Sequence, residues 1–275
     1  MEHNGIQGQV YNTNRLGGFY MYHFYPDRLP FSDGRWEVYG NAFFEERRRA
    51  LADYAAWREW VAGYGVRVAL LHHTSGESRM LVPALYNDPD WSLVYYDFAA
   101  SLFVKTDAVG RSTPITFSAS SRILDADVRP DSRFILSAFY RNLGLDRLLL
   151  DNLERVLPTG HNARNVLLEM AGIHLRRSEF AEAEQRFHQV LEIDDHQTDA
   201  LRDLAFITYN GGRYDEALAY SSRAVESNPG SVDLRFNHAL ILVAMGREAD
   251  AREQLNTLLK IDPGYTKARQ LLERM

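Results

Sequence analysis

Cysteine is absent from all 275 residues, which excludes disulfides, thiolate nucleophiles and cysteine-ligated zinc together. That absence suits a reducing and an oxidising compartment equally. Long apolar runs are missing too. The longest clean one, Ala239 to Met245, falls far short of the roughly 20 residues that span a bilayer. The opening MEHNGIQGQVYN has neither the basic nor the apolar region of a secretory leader. Positive charge is in deficit, with 31 Lys+Arg against 37 Asp+Glu and a net charge of −6, which disfavours a phosphate-reading, nucleic-acid-binding face. No lysine follows a phosphate-cradling glycine loop, and Gly17-Gly18 lacks the third glycine of a dinucleotide fingerprint. No cofactor and no metal are therefore expected. The remainder, 45% hydrophobic and 25% charged, is ordinary globular composition, long enough for about two domains.

What is present is a repeat. Ala183, Ala217 and Ala251 are 34 residues apart, and so are Asp195, Pro229 and Pro263, Ser178, Gly212 and Gly246, and Ala171, Ala205 and Ala239. The spacing fits paired amphipathic helices, neither of which can bury its apolar stripe alone. The alanines let two helix axes approach closely. The glycine column ends each first helix, where a left-handed residue is needed, and the prolines follow each second helix.

On these residues the segment resembles a tetratricopeptide repeat array. Leu201, Leu204, Ala205, Gly212, Tyr214, Ala217, Ala224 and Pro229 fall on the family's signature columns, whereas the third repeat places Arg235 and His238 at usually apolar positions. The repeats are read as 164–197, 198–231 and 232–265. A degenerate unit at 131–163, with Leu149 in place of the small alanine, precedes them as an N-terminal cap, and a capping helix spans 265–275. The resemblance implies an all-α solenoid whose first helices line a concave groove for a protein or peptide. The groove residues would be Asn165, Leu168, Glu169, Asp199, Arg202, Asp203, Phe206, Tyr209, Asp233, Phe236, Asn237 and Leu240. Family members that clamp a terminal carboxylate use a Lys and an Asn in one repeat, an Asn in the next and a Lys and an Arg in a third, where this chain has Leu168, Gly172, Asp203, Asp233 and Asn237. That clamp is therefore not expected, and a basic or mixed partner suits Glu169, Asp199, Asp203 and Asp233 better.

Residues 1–105 follow other rules. QVYN, LPFSD, VRVALLHH, WSLVYYD and SLFVKTD are short β-branched or aromatic runs bounded by turn residues. Helical patterns lie between them near Arg15 to Phe24, from Phe43 to Ala62 and from Arg79 to Tyr86. The expectation is a small α/β domain with a mixed, mostly parallel sheet, closed by an antiparallel hairpin at WSLVYYDFAASLFVKTD. Residues 106–130, rich in Ser, Thr, Asp and Pro, read as a linker to the array at 131–275.

Asn12, Gly17, Gly18, Pro26, Asp33-Gly34-Arg35, Tyr39, Gly40, Tyr64-Gly65 and Trp91 give residues 5 to 105 a second resemblance. They are similar to the soluble segment that follows the membrane spans of bacterial integral-membrane glycosyltransferase-like proteins, some of which carry tetratricopeptide repeats behind it. MEHNGIQG also reads as the last turn of a helix stopping at Gly5, too short to stand alone. The resemblance implies the soluble, extracytoplasmic end of a longer membrane protein, whose catalytic carboxylates lie among its spans and not here.

Two other readings stay open: a free-standing cytoplasmic adaptor, and a small α/β enzyme. The enzyme would use Asp33, Arg35, His72, His73 and Glu77, because ligands in open α/β sheets bind beyond the carboxyl ends of strands. Asp33 and Arg35 would face a sugar phosphate, and the histidines with Glu77 would hold a metal or move protons. Against this, neighbouring residues on a strand point to opposite faces. Asp-Gly is also a turn signal, and Ser75 or Ser78 serves as a helix cap. The aromatics Phe19, Tyr20, Tyr22, Phe24 and Tyr25 read mainly as core, with sugar stacking as the alternative.

Overall fold

The computed structural model describes residues 5–24, 29–32, 36–118, 121–122 and 128–275. The chain divides into two units, Met1–His161 and Asn162–Met275.

The first unit opens with β1 (Gln9–Asn12) and α1 (Asn14–Phe24). Next come α2 (Trp36–Ala50), interrupted at Gly40 (φ 70°), and α3 (Tyr54–Gly63). Beyond them lie β2 (Val66–His72), α4 (Ser78–Asn87), β3 (Trp91–Tyr96) and β4 (Ala100–Lys105). The single helix expected over Phe43 to Ala62 is two helices, because Asp53 turns extended and its carboxylate caps the Ala56 amide, starting α3 afresh.

The strand order is β1-β2-β4-β3. Only β1 and β2 pair parallel; β2–β4 and β3–β4 are antiparallel. The sheet is mixed as expected, but mostly antiparallel rather than mostly parallel. The cause is the hairpin. Asp97 Oδ1 accepts from the Ala99 and Ala100 amides at 2.7 and 2.8 Å, fixing a tight turn, and the hairpin joins β2 through its second strand. Nor is the described part of LPFSD a strand. Leu29–Ser32 is irregular, and its peptide groups are met by the Asn12 side chain, which accepts from Phe31 N at 2.7 Å and donates to Ser32 O at 2.6 Å. An amide has replaced a ladder.

Alternation along the strands decides the two faces. Val10, Val68, Leu102 and Val104 share a cluster with Tyr20 of α1. Tyr11 faces the other way, its ring 5.3 Å from that of Trp57 on α3, and Trp57 lies 6.0 Å from Trp91. Tyr20 is core as expected, but Phe19 and Tyr22 of α1 are 57% and 86% exposed, contrary to the core reading; Tyr25 and the Phe24 side chain lie outside the described residues.

The unit closes with α5 (Pro130–Asn142) and α6 (Asp146–Val156). Phe139 of α5 stacks on Tyr96 (5.1 Å) and on His73 (4.7 Å). Of the segment read as a linker, residues 106–118, 121–122 and 128–130 are described: Ile115 N donates to Leu93 O at 2.7 Å, and Phe117 packs against Tyr96 and Phe139.

The second unit comprises α7 (Ala163–Arg176), α8 (Phe180–Ile193), α9 (Thr198–Asn210), α10 (Tyr214–Ser227), α11 (Val232–Ala244), α12 (Glu248–Ile261) and α13 (Thr266–Arg274). Its periodicity extends back to α5 and α6. First helices end at Asn142, Arg176, Asn210 and Ala244, and second helices begin at Asp146, Phe180, Tyr214 and Glu248. Between them Gly144, Ser178, Gly212 and Gly246 all have φ of +60° to +73°. Ala171, Ala183, Ala217, Ala239 and Ala251 are fully buried, and Ala205 nearly so. In the diverged hairpin Ser137 and Leu149 occupy the alanine columns, both buried. Asn152 fills the remaining space by donating to Ser137 Oγ at 3.0 Å and to Arg133 O at 2.8 Å. The irregular His238 is also buried, its Nδ1 2.8 Å from Ser221 Oγ on α10.

Candidate functional site

The 34-residue step gives the first helices of the second unit a shared register. Asn165, Asp199 and Asp233 are equivalent; so are Leu168, Arg202 and Phe236, then Glu169, Asp203 and Asn237, then Phe206 and Leu240. Between α9 and α11 these positions enclose a pocket of about 440 Å³. Its walls take Arg202, Asp203, Phe206, Tyr209, Asn237 and Leu240, six of the twelve groove residues expected from sequence. Phe206 and Leu240 are 52% and 37% exposed. Ala205, Asn210 and Ile241, which the sequence reading omitted, complete the lining. Asn210 could have been found one turn beyond Phe206, on the same helix face.

The polar rim is organised around Arg202. Its guanidinium grips Asp203 through Nε–Oδ1 at 2.8 Å and Nη2–Oδ2 at 3.1 Å, and Nη1 donates to Asp199 at 2.8 Å. Hydrogen bonding to Asp203 raises the arginine pKa further, so it stays charged. Asp233 and Phe236 do not reach the pocket walls; they engage Tyr265 instead, by a 3.0 Å hydrogen bond and a 5.4 Å ring contact. Asn165 is exposed, and Leu168 and Glu169 are half-buried on α7; none of the three lines this pocket.

The second candidate cluster is described only in part. Asp33 and Arg35 lie outside the described residues. His72 is half-buried, its Nδ1 3.2 Å from Thr74 Oγ1, and burial with Arg15 nearby lowers its pKa. His73 is 1% exposed and stacked on Phe139; burial drives its pKa down to about 3. It belongs to the core. Ser78 does not cap α4, since its hydroxyl donates to His72 O at 2.8 Å. Glu77 sits at the head of α4, accepting from the Tyr11 hydroxyl at 3.0 Å and pairing with Arg47 at 2.5 Å. Burial raises the Glu77 pKa against the pull of Arg47 and Tyr11. Among the described residues no group of three or more acidic or histidine side chains is placed to hold a metal. Nor is any helix among them long and apolar enough to cross a membrane.

Comparison with known proteins agrees with the periodicity. Tetratricopeptide repeat families match residues 168–232 and 211–275, so the second unit carries tetratricopeptide repeats. Human protein O-mannosyl-transferase TMTC1 is 26% identical over 106 residues, 38% of this chain and 12% of that protein. The Arabidopsis thaliana inactive TPR repeat-containing thioredoxin TTL3 is 36% identical over 64 residues, 23% of this chain and 9% of that protein. The chain therefore spans only about a tenth of the length of these relatives. Among solved structures, YrrB, described as a TPR protein with an unusual peptide-binding site, aligns at 18% identity with a TM-score of 0.46, covering 52% of this chain and 74% of that one.

Proposed function

We propose that this chain is a non-catalytic module whose repeats hold a protein or peptide in the groove formed by α7, α9 and α11. The observation that carries the reading is the pocket between α9 and α11, where Phe206 and Leu240 leave apolar surface to solvent beside an organised polar rim. Apolar side chains that converge in a concavity mark interaction sites more than singly exposed ones do. The acidic side chains Glu169, Asp199 and Asp203 favour a basic or mixed partner over an acidic one. The test is a photo-crosslinking amino acid placed in cells at Phe206, with exposed Glu226 of α10 as control. Crosslinks to another protein from position 206 but not 226 are expected. Equal or absent crosslinking would end the reading.

We further propose that the module is the extracytoplasmic end of a membrane glycosyltransferase-like protein and positions a partner or acceptor near chemistry performed elsewhere in that protein. The similarity to TMTC1 and the motif resemblance of residues 5 to 105 support this context. Sequencing the gene upstream of Met1 tests it: apolar spans in frame are expected. A stop codon directly before Met1 would favour the free-standing cytoplasmic adaptor. Metal bound at unit stoichiometry and lost in a His72→Ala/His73→Ala variant would instead favour the α/β enzyme.

A further inference from the structure

The pocket between α9 and α11 has a chemistry more specific than a general protein-binding surface. Phe206 and Leu240 stand at equivalent positions of successive repeats, and with Tyr209 and Ile241 they make its floor apolar. Asn237, on the same wall, hydrogen-bonds to no described residue through its side chain. A carboxamide offers one acceptor and two donors, which matches the N–H and C=O of a peptide unit in an extended chain. The rim selects by charge. Three of the five N–H donors of the Arg202 guanidinium are engaged by Asp203 and Asp199, and the two carboxylates together outweigh its charge, which disfavours an incoming carboxylate. Asp199 is 60% exposed at its side chain and keeps lone pairs free for a cation. Towards the C-terminus the footprint stops, because Tyr265 occupies Asp233 and Phe236.

We infer that this pocket receives one bulky apolar side chain of an extended peptide segment, flanked by a lysine or arginine, while Asn237 holds the peptide backbone. The inference rests on the peptide-binding reading above and names the class of partner.

The test begins by panning a random peptide library displayed on phage against the full chain. Recovered peptides are then synthesised with a fluorophore and titrated by anisotropy. Leu, Ile, Met, Phe or Trp next to Lys or Arg is the expected shared feature. Phe206→Asp and Leu240→Asp should each weaken binding by about tenfold or more, and Asn237→Ala by several-fold, while Glu226→Ala leaves it unchanged. The reciprocal change guards against misfolded variants: replacing the peptide's apolar residue by Ala must abolish binding to the wild-type chain. Recovered peptides without an apolar residue, with acidic neighbours, or indifferent to Phe206→Asp would overturn the anchor but leave peptide binding standing. A library that yields no binder would overturn both.

Discussion

The Tyr265 hydroxyl donates to Asp233 Oδ1 at 3.0 Å, across 32 residues of chain, and its ring rests 5.4 Å from that of Phe236. One side chain thus engages two groove-face residues of the third repeat and fastens the approach to α13, which buries Ala268 against Ala239, Leu255 and Leu258. Tyr265→Phe should cost at most about 1 kcal/mol, because the hydrogen bond lies at the surface. Tyr265→Ala should cost about 1–3 kcal/mol by removing the ring contact as well. Urea unfolding of the two variants separates these contributions, and equal losses would assign the whole effect to the hydroxyl.

The turn between paired helices holds a left-handed residue in all four hairpins, yet one of them, Ser178, carries a side chain at φ 60°. A β-carbon in that conformation costs about 1 kcal/mol. Ser178→Gly should therefore stabilise the chain by roughly 0.5–1 kcal/mol, after allowing for the greater freedom of an unfolded glycine. Gly212→Ala should destabilise it by about 1 kcal/mol through backbone strain alone, since an added Cβ there meets nothing within 4 Å. Thermal or urea melts check both signs; stabilisation by Gly212→Ala would contradict the strain argument.

The Arg47–Glu77 pair is only 13% and 7% exposed at its side chains and is closed by the Tyr11 hydroxyl. Removing one partner strands a buried charge, so Glu77→Ala should cost about 3 kcal/mol or more. The double variant Arg47→Met/Glu77→Leu should recover most of that loss, because packed apolar groups replace a desolvated pair nearly without penalty. Additive losses in the double variant would mean that the two residues act independently.

Acid should weaken the first unit through His73. Its folded pKa of about 3 lies below the unfolded value near 6.5, so below that value the unfolded chain binds a proton that the folded chain refuses. Stability is full above about pH 6.5 and falls as pH drops toward 3, by up to about 1.4 kcal/mol per pH unit. In His73→Phe, which keeps an aromatic ring against Phe139, the slope over that window should shrink by one proton. Urea midpoints measured from pH 4 to pH 7 provide the check, and parallel curves for the two proteins would refute the assignment.

The repeat half was legible because its information is local and periodic. The 34-residue columns mark where helices end, and the helix boundaries follow them even into the diverged unit at α5 and α6. The front half was harder to read. The hairpin and the helical stretches were visible, though one stretch is two helices; strand pairing depends on which residues meet across the sheet, and Leu29–Ser32 lost its strand to the Asn12 carboxamide. At the candidate site the register fixed which residues share a helix face. It carried no sign that Tyr265 would cover Asp233 and Phe236, or that Tyr11 and Arg47 would claim Glu77.

The amino-acid order by itself determined the α-hairpin repeat, its turns and its small-residue contacts, because each of these is set within a few residues along the chain. Tertiary structure alone decided that β4 lies between β2 and β3, that His73 is core, and that six of the twelve groove residues converge on one pocket. Those outcomes depend on distant side chains competing for the same space and the same hydrogen bonds, and that competition leaves no periodic trace in sequence.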